Sequence, residues 1–341
     1  MLNVLRRSRR TLLALCLSFG ASFAAQAAYS NVYFFGDSLS DTGNVYTASG
    51  GTEPLPPYYE GRFSNGQLWV EHLAAGLGNA DAAKPFQLGG NNYAWAGAMT
   101  NSSGLADPML GIATGLQSQV MGYWASNHAS ASTNDLFVIA IGGNDLFGIA
   151  SALPDAGDAA ARMLAAQAAV ANVMSSLNYL ISKGASNFLI ANAPNIGVTP
   201  ASNFSGTIPA ATDVSMQYNA FLAAAIASLN NSVHVTSFDF FSLVTALVDD
   251  AANGGANYGL PNGFIPCTMS GLDTCDASVF FDPMHPTAVV HAMAGEAALA
   301  LLAANQVPEP ATWLLLVTAL LLIVVRRQRV TCRQFTAPAV C

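Results

Sequence analysis

Short apolar runs alternate along this chain with longer stretches whose apolar side chains recur every three or four residues. The short runs are Asn31–Phe35 (NVYFF), Leu136–Ile141 (LFVIAI), Asn187–Asn192 (NFLIAN) and Val233–Phe238 (VHVTSF). Most lack the polar alternation of a strand with one wet face, so they read as strands covered on both sides. NNYAWAGA (Asn91–Ala98) has room for a further short strand. Helical spacing marks Gly66–Gly78, Leu116–His128, Gly157–Gly184, Thr212–Asn231 and Ser242–Asp250, and a last helix with Pro286 at its first position. The clearest is Gly157–Gly184, where Val170, Val173, Leu177 and Leu180 keep the rhythm and Gly184 stands past the end as a stop. Strand–helix alternation predicts an α/β fold, a doubly wound sandwich with a mainly parallel sheet. Its crevice is expected at the carboxyl ends of the strands, and Ser38, Gly142–Asp145 and Pro194–Asn195 all follow such ends.

The two ends break this pattern. Residues 1–28 combine four arginines, the apolar stretch TLLALCLSFGASFA and a small-x-small site ending at Ala27. Together they predict a secretory signal peptide rather than a buried helix. Residues 307–329 (VPEPATWLLLVTALLLIVVRRQR) hold an apolar run closed by arginines. Its fifteen residues from Ala311 to Val325 reach about 22 Å as a helix, short of a bilayer core of roughly 30 Å. The segment resembles the PEP-CTERM sorting signal of Gram-negative bacteria, which implies an exosortase-type processing enzyme as partner and contact with the inner membrane before processing. A plain C-terminal anchor would give the same topology. Residues 330–341 extend further than such tails usually do. The body, 29–306, is expected to lie outside the inner membrane, in the envelope or beyond it.

Setting the ends aside changes the charge picture. Arg62, Lys84, Arg162 and Lys183 are the only cations of 29–306, against nineteen carboxylates, a formal charge of −15. Such a surface repels nucleic acid, which is excluded as a partner. Of five cysteines, Cys267 and Cys275 alone belong to the body, and an oxidising compartment makes a disulfide between them the expectation. No Cys/His spacing suits zinc, and no metal or cofactor is expected.

Candidate chemistry gathers at the strand ends. Ser38 lies in YFFGDSLSDTGN (Tyr33–Asn44), just past the first strand. A serine hydroxyl attacks only when a base takes its proton. DPMHP (Asp282–Pro286) offers that base, since His285 alone among five histidines has a carboxylate three residues earlier and a proline behind it. Nucleophile, base and orienting acid make a triad, in the order Ser, Asp, His, although no G-x-S-x-G elbow surrounds Ser38. Developing negative charge needs fixed donors, for which the Ser38 N–H, the Gly97 N–H and the Asn144 side chain are candidates. Asp37 and Asp145 are expected to hold loops. His72, His128, His234 and His291 are expected to be structural, and Trp69, Trp95 and Trp124 to line core or cleft.

These blocks resemble the GDSL, or SGNH, hydrolase family over Val32 to about Ala303. FGDSLSDTGN carries Ser38 at the nucleophile position. NYAWAGA carries Gly97 and GGND carries Asn144 at the oxyanion positions, and DPMHP carries Asp282 and His285. GRFSNGQLWVEHLA (Gly61–Ala74) is similar to the phospholipase, lecithinase and haemolysin branch. Ala96 departs from that branch, which commonly has a second glycine there, and its methyl is expected to narrow the approach to Gly97. The resemblance implies a flavodoxin-like three-layer α/β/α sandwich and a secreted serine lipase or esterase acting on a lipid or short-acyl ester. An acyltransferase using the same site, and a matrix protein keeping the fold without activity, are the alternatives.

Overall fold

A computed structural model describes residues 29–271 and 274–305. The predicted signal peptide (1–28), sorting segment (307–329) and tail (330–341) lie outside the described residues. Four parallel strands make the sheet: β1 (Val32–Gly36), β2 (Leu136–Ala140), β3 (Asn187–Ala191) and β4 (His234–Phe238), side by side in chain order. Six main helices accompany them: α1 (Trp69–Gly76), α2 (Gly143–Ala152), α3 (Ala159–Ser182), α4 (Ile208–Ala227), α5 (Phe240–Ala252) and α6 (Ala288–Asn305).

Strands β1 to β3 are apolar almost throughout because both faces are covered, whereas the edge strand β4 (HVTSF) exposes His234 and Ser237. Tyr33, Phe35, Phe137, Ile139, Phe188 and Ile190 enter one core with Leu146 of α2, Val173 and Leu177 of α3 and Tyr218 of α4. Their chain neighbours Val32, Phe34, Leu136, Val138 and Leu189 enter the other, with Leu73 of α1, Leu247 of α5 and Val290 of α6. The two-residue period of a strand thus feeds both outer layers, giving the three-layer sandwich. Each such side chain contributes about 1.5–3 kcal/mol on burial.

Several expectations are corrected. NNYAWAGA forms no strand; it runs beside β1 through Phe34 N–H to Asn91 O (3.0 Å), Tyr93 N–H to Phe34 O (2.7 Å) and Trp95 N–H to Gly36 O (3.1 Å). Asn92 bends it, because its side-chain oxygen accepts the Ala94 N–H at 3.0 Å in an Asx turn. The last helix starts at Ala288, not Pro286, since the Phe281 N–H bonds to His285 O (2.8 Å) and the Thr287 N–H to Val279 O (3.0 Å), which holds 285–287 in a hairpin. Between Leu116 and His128 the backbone takes π-helical turns over Ser118–Trp124. Helix α2 follows β2 almost at once: Gly142 precedes it at φ +122°, where a Cβ would also meet the Tyr218 ring at 2.8 Å. Trp69, Trp95 and Trp124 are all buried in the core.

Cys267 and Cys275 are disulfide-bonded. The Cys267 N–H bonds to Phe280 O (2.9 Å) and the Thr268 N–H to Phe281 O (3.0 Å), so the bridged loop braces the segment leading into Asp282. Replacing both cysteines by serine is expected to lower stability by about 2–3 kcal/mol, the value of closing so short a loop, read as a lower melting temperature.

His291 of α6 is fully buried; its Nδ1 accepts the Trp69 N–H at 3.3 Å, and its Nε2 has no partner among the described residues. Burial, reinforced by the charges of His285 and His72, pushes its pKa down from 6.5 to about 3. The unfolded chain therefore takes up a proton that the folded chain refuses, and stability falls as pH drops through that window. Urea titrations between pH 7 and pH 4 are expected to show this loss, and His291→Leu to flatten the slope by about 1 kcal/mol per pH unit.

Candidate active site

Ser38 sits two residues past the end of β1, and the loop carrying it is fixed by buried polar side chains. Gln119 closes the strand end: its Oε1 accepts the Gly36 N–H at 2.9 Å and its Nε2 donates to Gly36 O at 2.8 Å. The Ser40 and Asp41 N–H groups both bond to Asp37 O, at 3.0 and 2.9 Å, which turns the chain sharply around Ser38. Asp41, wholly buried, accepts the N–H groups of Gly43 (2.8 Å), Asn44 and Val45 (3.2 Å) on its own loop and of Ala96 (2.8 Å) on the next. Burial pushes the Asp41 carboxyl up, and those four backbone donors oppose it. Asn92 answers from the other side, donating to Ser40 O (2.7 Å) and Thr42 Oγ1 (3.0 Å). Asn44 donates to both Asn92 O and Ala94 O at 2.8 Å. The loops of Ser38 and Gly97 are thereby laced together.

His285 reaches Ser38 from the far end of the chain. Its Nε2 lies 2.8 Å from Ser38 Oγ, and its Nδ1 lies 2.6 Å from Asp282 Oδ2. A carboxylate only accepts, so Nδ1 carries a proton, and in the neutral ring Nε2 is then free to accept the serine hydroxyl. Asp282 Oδ1 accepts the Met284 and His285 N–H groups, each at 2.7 Å, which locks the acid three residues before the base. Burial alone would raise the Asp282 carboxyl. The hydrogen bond and charge of His285, with the Tyr58 hydroxyl and the Met284 N–H, outweigh it and hold the group below the usual carboxylate range.

The three candidate oxyanion donors are placed unequally. Among the described residues no protein acceptor takes the Ser38 or Gly97 N–H. Gly97 has φ +78°, which a side chain would strain. Asn144, in the first turn of α2, spends one amide hydrogen on Ala98 O at 2.9 Å, which fastens the Gly97 loop to it. Ser38, Asn144 and His285 line one cleft together with Leu39, Phe147 and Phe240; Gly97 does not line it. Ala96 is buried in the core beside Gly97.

Asp37 and Asp145 hold loops, as expected: Asp37 Oδ1 accepts the Leu39 N–H (3.0 Å), and Asp145 accepts the Thr100 N–H (2.9 Å) and hydroxyl (2.8 Å). Burial pushes the Asp37 carboxyl up to about 6, with the Leu39 N–H and His285 pulling down and Asp145 pushing up. Among the described residues no group of three His, Cys, Asp or Glu side chains is placed to hold a metal. Sequence reasoning missed Tyr58, whose hydroxyl donates to Asp282 Oδ2 at 2.7 Å, and Gln119, Asp41, Asn44 and Asn92. Only Asp41 and Asn44 left a signal, as polar residues inside the DTGN turn.

Known proteins resemble this chain along most of its length. It is 26% identical over 324 residues to a phosphatidylcholine-sterol acyltransferase of Aeromonas hydrophila, spanning 80% of this chain and 90% of that protein. It is 36% identical over 190 residues to lipase 1 of Photorhabdus luminescens, spanning 54% of this chain but only 25% of the lipase. It is 28% identical over 294 residues to the thermolabile hemolysin of Vibrio parahaemolyticus, spanning 78% of this chain and 62% of that protein. A solved member of the lipolytic G-D-S-L family from Veillonella parvula covers 81% of this chain, and this chain 97% of it, with 14% identity and a TM-score of 0.40. The family described as GDSL-like Lipase/Acylhydrolase matches residues 32–298, and the chain belongs to it.

Proposed function

We propose that this protein is a secreted serine ester hydrolase, a lipase or esterase that works through an acyl-enzyme. The single observation behind this is the unbroken relay from Asp282 Oδ2 through His285 to Ser38 Oγ, with links of 2.6 and 2.8 Å. As the Ser38 oxygen bonds to the ester carbonyl carbon, His285 Nε2 takes the hydroxyl proton. Asp282 stabilises the imidazolium so formed. The carbonyl oxygen becomes negative and is met by the Ser38 N–H and the free hydrogen of the Asn144 amide, with the Gly97 N–H, outside the cleft lining, proposed as a third donor. His285 returns the proton to the leaving alcohol. Water then attacks the acyl-serine by the same route and frees the acid and Ser38.

Substrate class follows from the walls. Leu39, Phe147, Phe240, Val244 and Phe280 give the cleft an apolar lining suited to an acyl chain. The acidic body disfavours anionic lipid, so a neutral or zwitterionic ester is the proposed substrate. The disulfide supports an oxidising compartment outside the inner membrane. An exosortase-type enzyme acting on 307–329 is part of the same proposal.

A second reading, acyl transfer to an alcohol from the same acyl-serine, is favoured by the likeness to an acyltransferase over 90% of that relative's length. New esters on adding a sterol or glycerol to the reaction, at the expense of free acid, are its expected outcome. Free acid alone, at every acceptor concentration, would rule it out.

Purified protein is expected to cleave p-nitrophenyl acyl esters, with rates set by chain length. Ser38→Ala should abolish turnover, and equal turnover by that variant would reject the nucleophile. Asn144→Ala should lower kcat by about 10²-fold or more, part through the lost oxyanion donor and part through release of the Ala98 carbonyl.

A further inference from the structure

Tyr58 belongs to the loop between Gly50 and Ser64, just behind the prolines Pro56 and Pro57. Its hydroxyl donates to Asp282 Oδ2 at 2.7 Å, the same oxygen that accepts the His285 Nδ1–H at 2.6 Å. With Oδ1 occupied by two backbone N–H groups, the carboxylate serves four donors, two on each oxygen. Burial first, then the bond to Asp282 and its charge, push the phenol's pKa up, so it stays a donor.

The ring is held as firmly as the hydroxyl. It stands edge-on to Phe281 at 5.3 Å and tilted against Phe63 at 5.6 Å, and Phe63 in turn lies 5.5 Å from the His285 ring. The loop is tied down on two sides. The Ser64 hydroxyl donates to Pro286 O at 2.8 Å, next to the base. Arg62 grips Glu71 of α1 through Nη2 (2.7 Å) and Nε (3.3 Å), and its Nη1 donates to Glu60 O at 2.7 Å.

On the triad reading above, we propose that Tyr58 is a positioning residue that fixes Asp282 against His285 and sets the basicity of that histidine. An oxygen that already accepts from a phenol is a weaker acceptor for the imidazole N–H. It stabilises the imidazolium less, so His285 stays neutral, and able to accept the Ser38 proton, to lower pH. Without the hydroxyl, Asp282 stabilises the imidazolium more, and the acid limb of the rate profile moves to higher pH. The carboxylate also loses an anchor, so the histidine is aimed less well and kcat falls.

Other charged groups act on the same centre. Asp37 beyond β1 and His291 of α6 act on His285, and Glu53 of the same loop acts on Tyr58. All three are unchanged in Tyr58→Phe, which keeps the ring and deletes only the hydroxyl, so a difference between variant and parent reports that hydroxyl.

The experiment is the pH dependence of kcat and KM for a p-nitrophenyl ester, on the full chain and on Tyr58→Phe, with melting temperatures alongside. The expected result is a roughly tenfold lower kcat, as for a lost hydrogen bond to a charged group, with KM within about twofold. The acid limb of kcat/KM should rise by about half a pH unit, with the melting temperature nearly unchanged. An unmoved limb overturns the proposal, whether or not kcat falls, because a packing contact alone would not shift it. Ser38→Ala run in parallel separates the two ideas: an active Ser38→Ala sinks the triad, whereas an inert Ser38→Ala beside a Tyr58→Phe profile like the parent's sinks only the role of Tyr58.

Discussion

A carboxylate buried with no counter-ion must be satisfied by backbone donors or it destabilises the fold. Asp41 is that carboxylate, and the positions of Ser38 and Gly97 follow from how it is satisfied. Three of its donors come from its own loop and one, the Ala96 N–H, comes from the segment beside β1. Neither loop could move without leaving buried carboxyl oxygens short of donors. The side chains of Asn44 and Asn92 cross between the same loops, so the lacing works in both directions. A site whose donors must meet a charge only in passing gains from being fixed beforehand, because no reorganisation is then needed during the reaction.

His285 arrives by a different device. Asp282 and His285 lie in a hairpin at the entry to α6, closed by the Phe281–His285 bond and by the Thr287–Val279 bond. The disulfide loop lies against its other strand at Phe280 and Phe281, and the Gly50–Ser64 loop covers the acid. Ser38 and His285 are therefore mounted on separate pieces that meet across the carboxyl ends of the strands. The apolar cleft lies where they meet, with Phe240 from α5 and Phe147 from α2 as walls. The three-layer sandwich supplies the mounting: both sheet faces are covered, so the strands hold their ends in place, and chemistry is left to the loops.

Local pattern made much of this legible. Strands β1 to β3 were readable because a doubly covered strand is apolar at nearly every position, and α3 because its apolar residues keep helical spacing up to a terminal glycine. Helix α2 was not, because Gly142 and Gly143 read as a break when Gly142 in fact turns the chain straight into a helix. Pro286 suggested a helix start, yet its neighbours are taken up by a hairpin that involves residues on the far side of Asp282. Asn91–Ala98 carried strand-like residues, but the side chain of Asn92 competes for the backbone and bends it. In each case a contact made elsewhere overruled a local preference.

The sequence by itself determined the elements, the acidic body and the few residues with the chemistry for acyl transfer, because periodicity, charge and side-chain type are local properties that need no partner. It also marked Ser38, Asp282 and His285 by type and spacing. Only the tertiary structure decided that Ser38 and His285, 247 residues apart, stand within hydrogen-bond reach, and that Tyr58 touches Asp282 across 224 residues. Such contacts depend on how whole layers pack and loops close. No short window of sequence encodes that, since a tyrosine after two prolines looks the same whether or not a carboxylate waits for its hydroxyl.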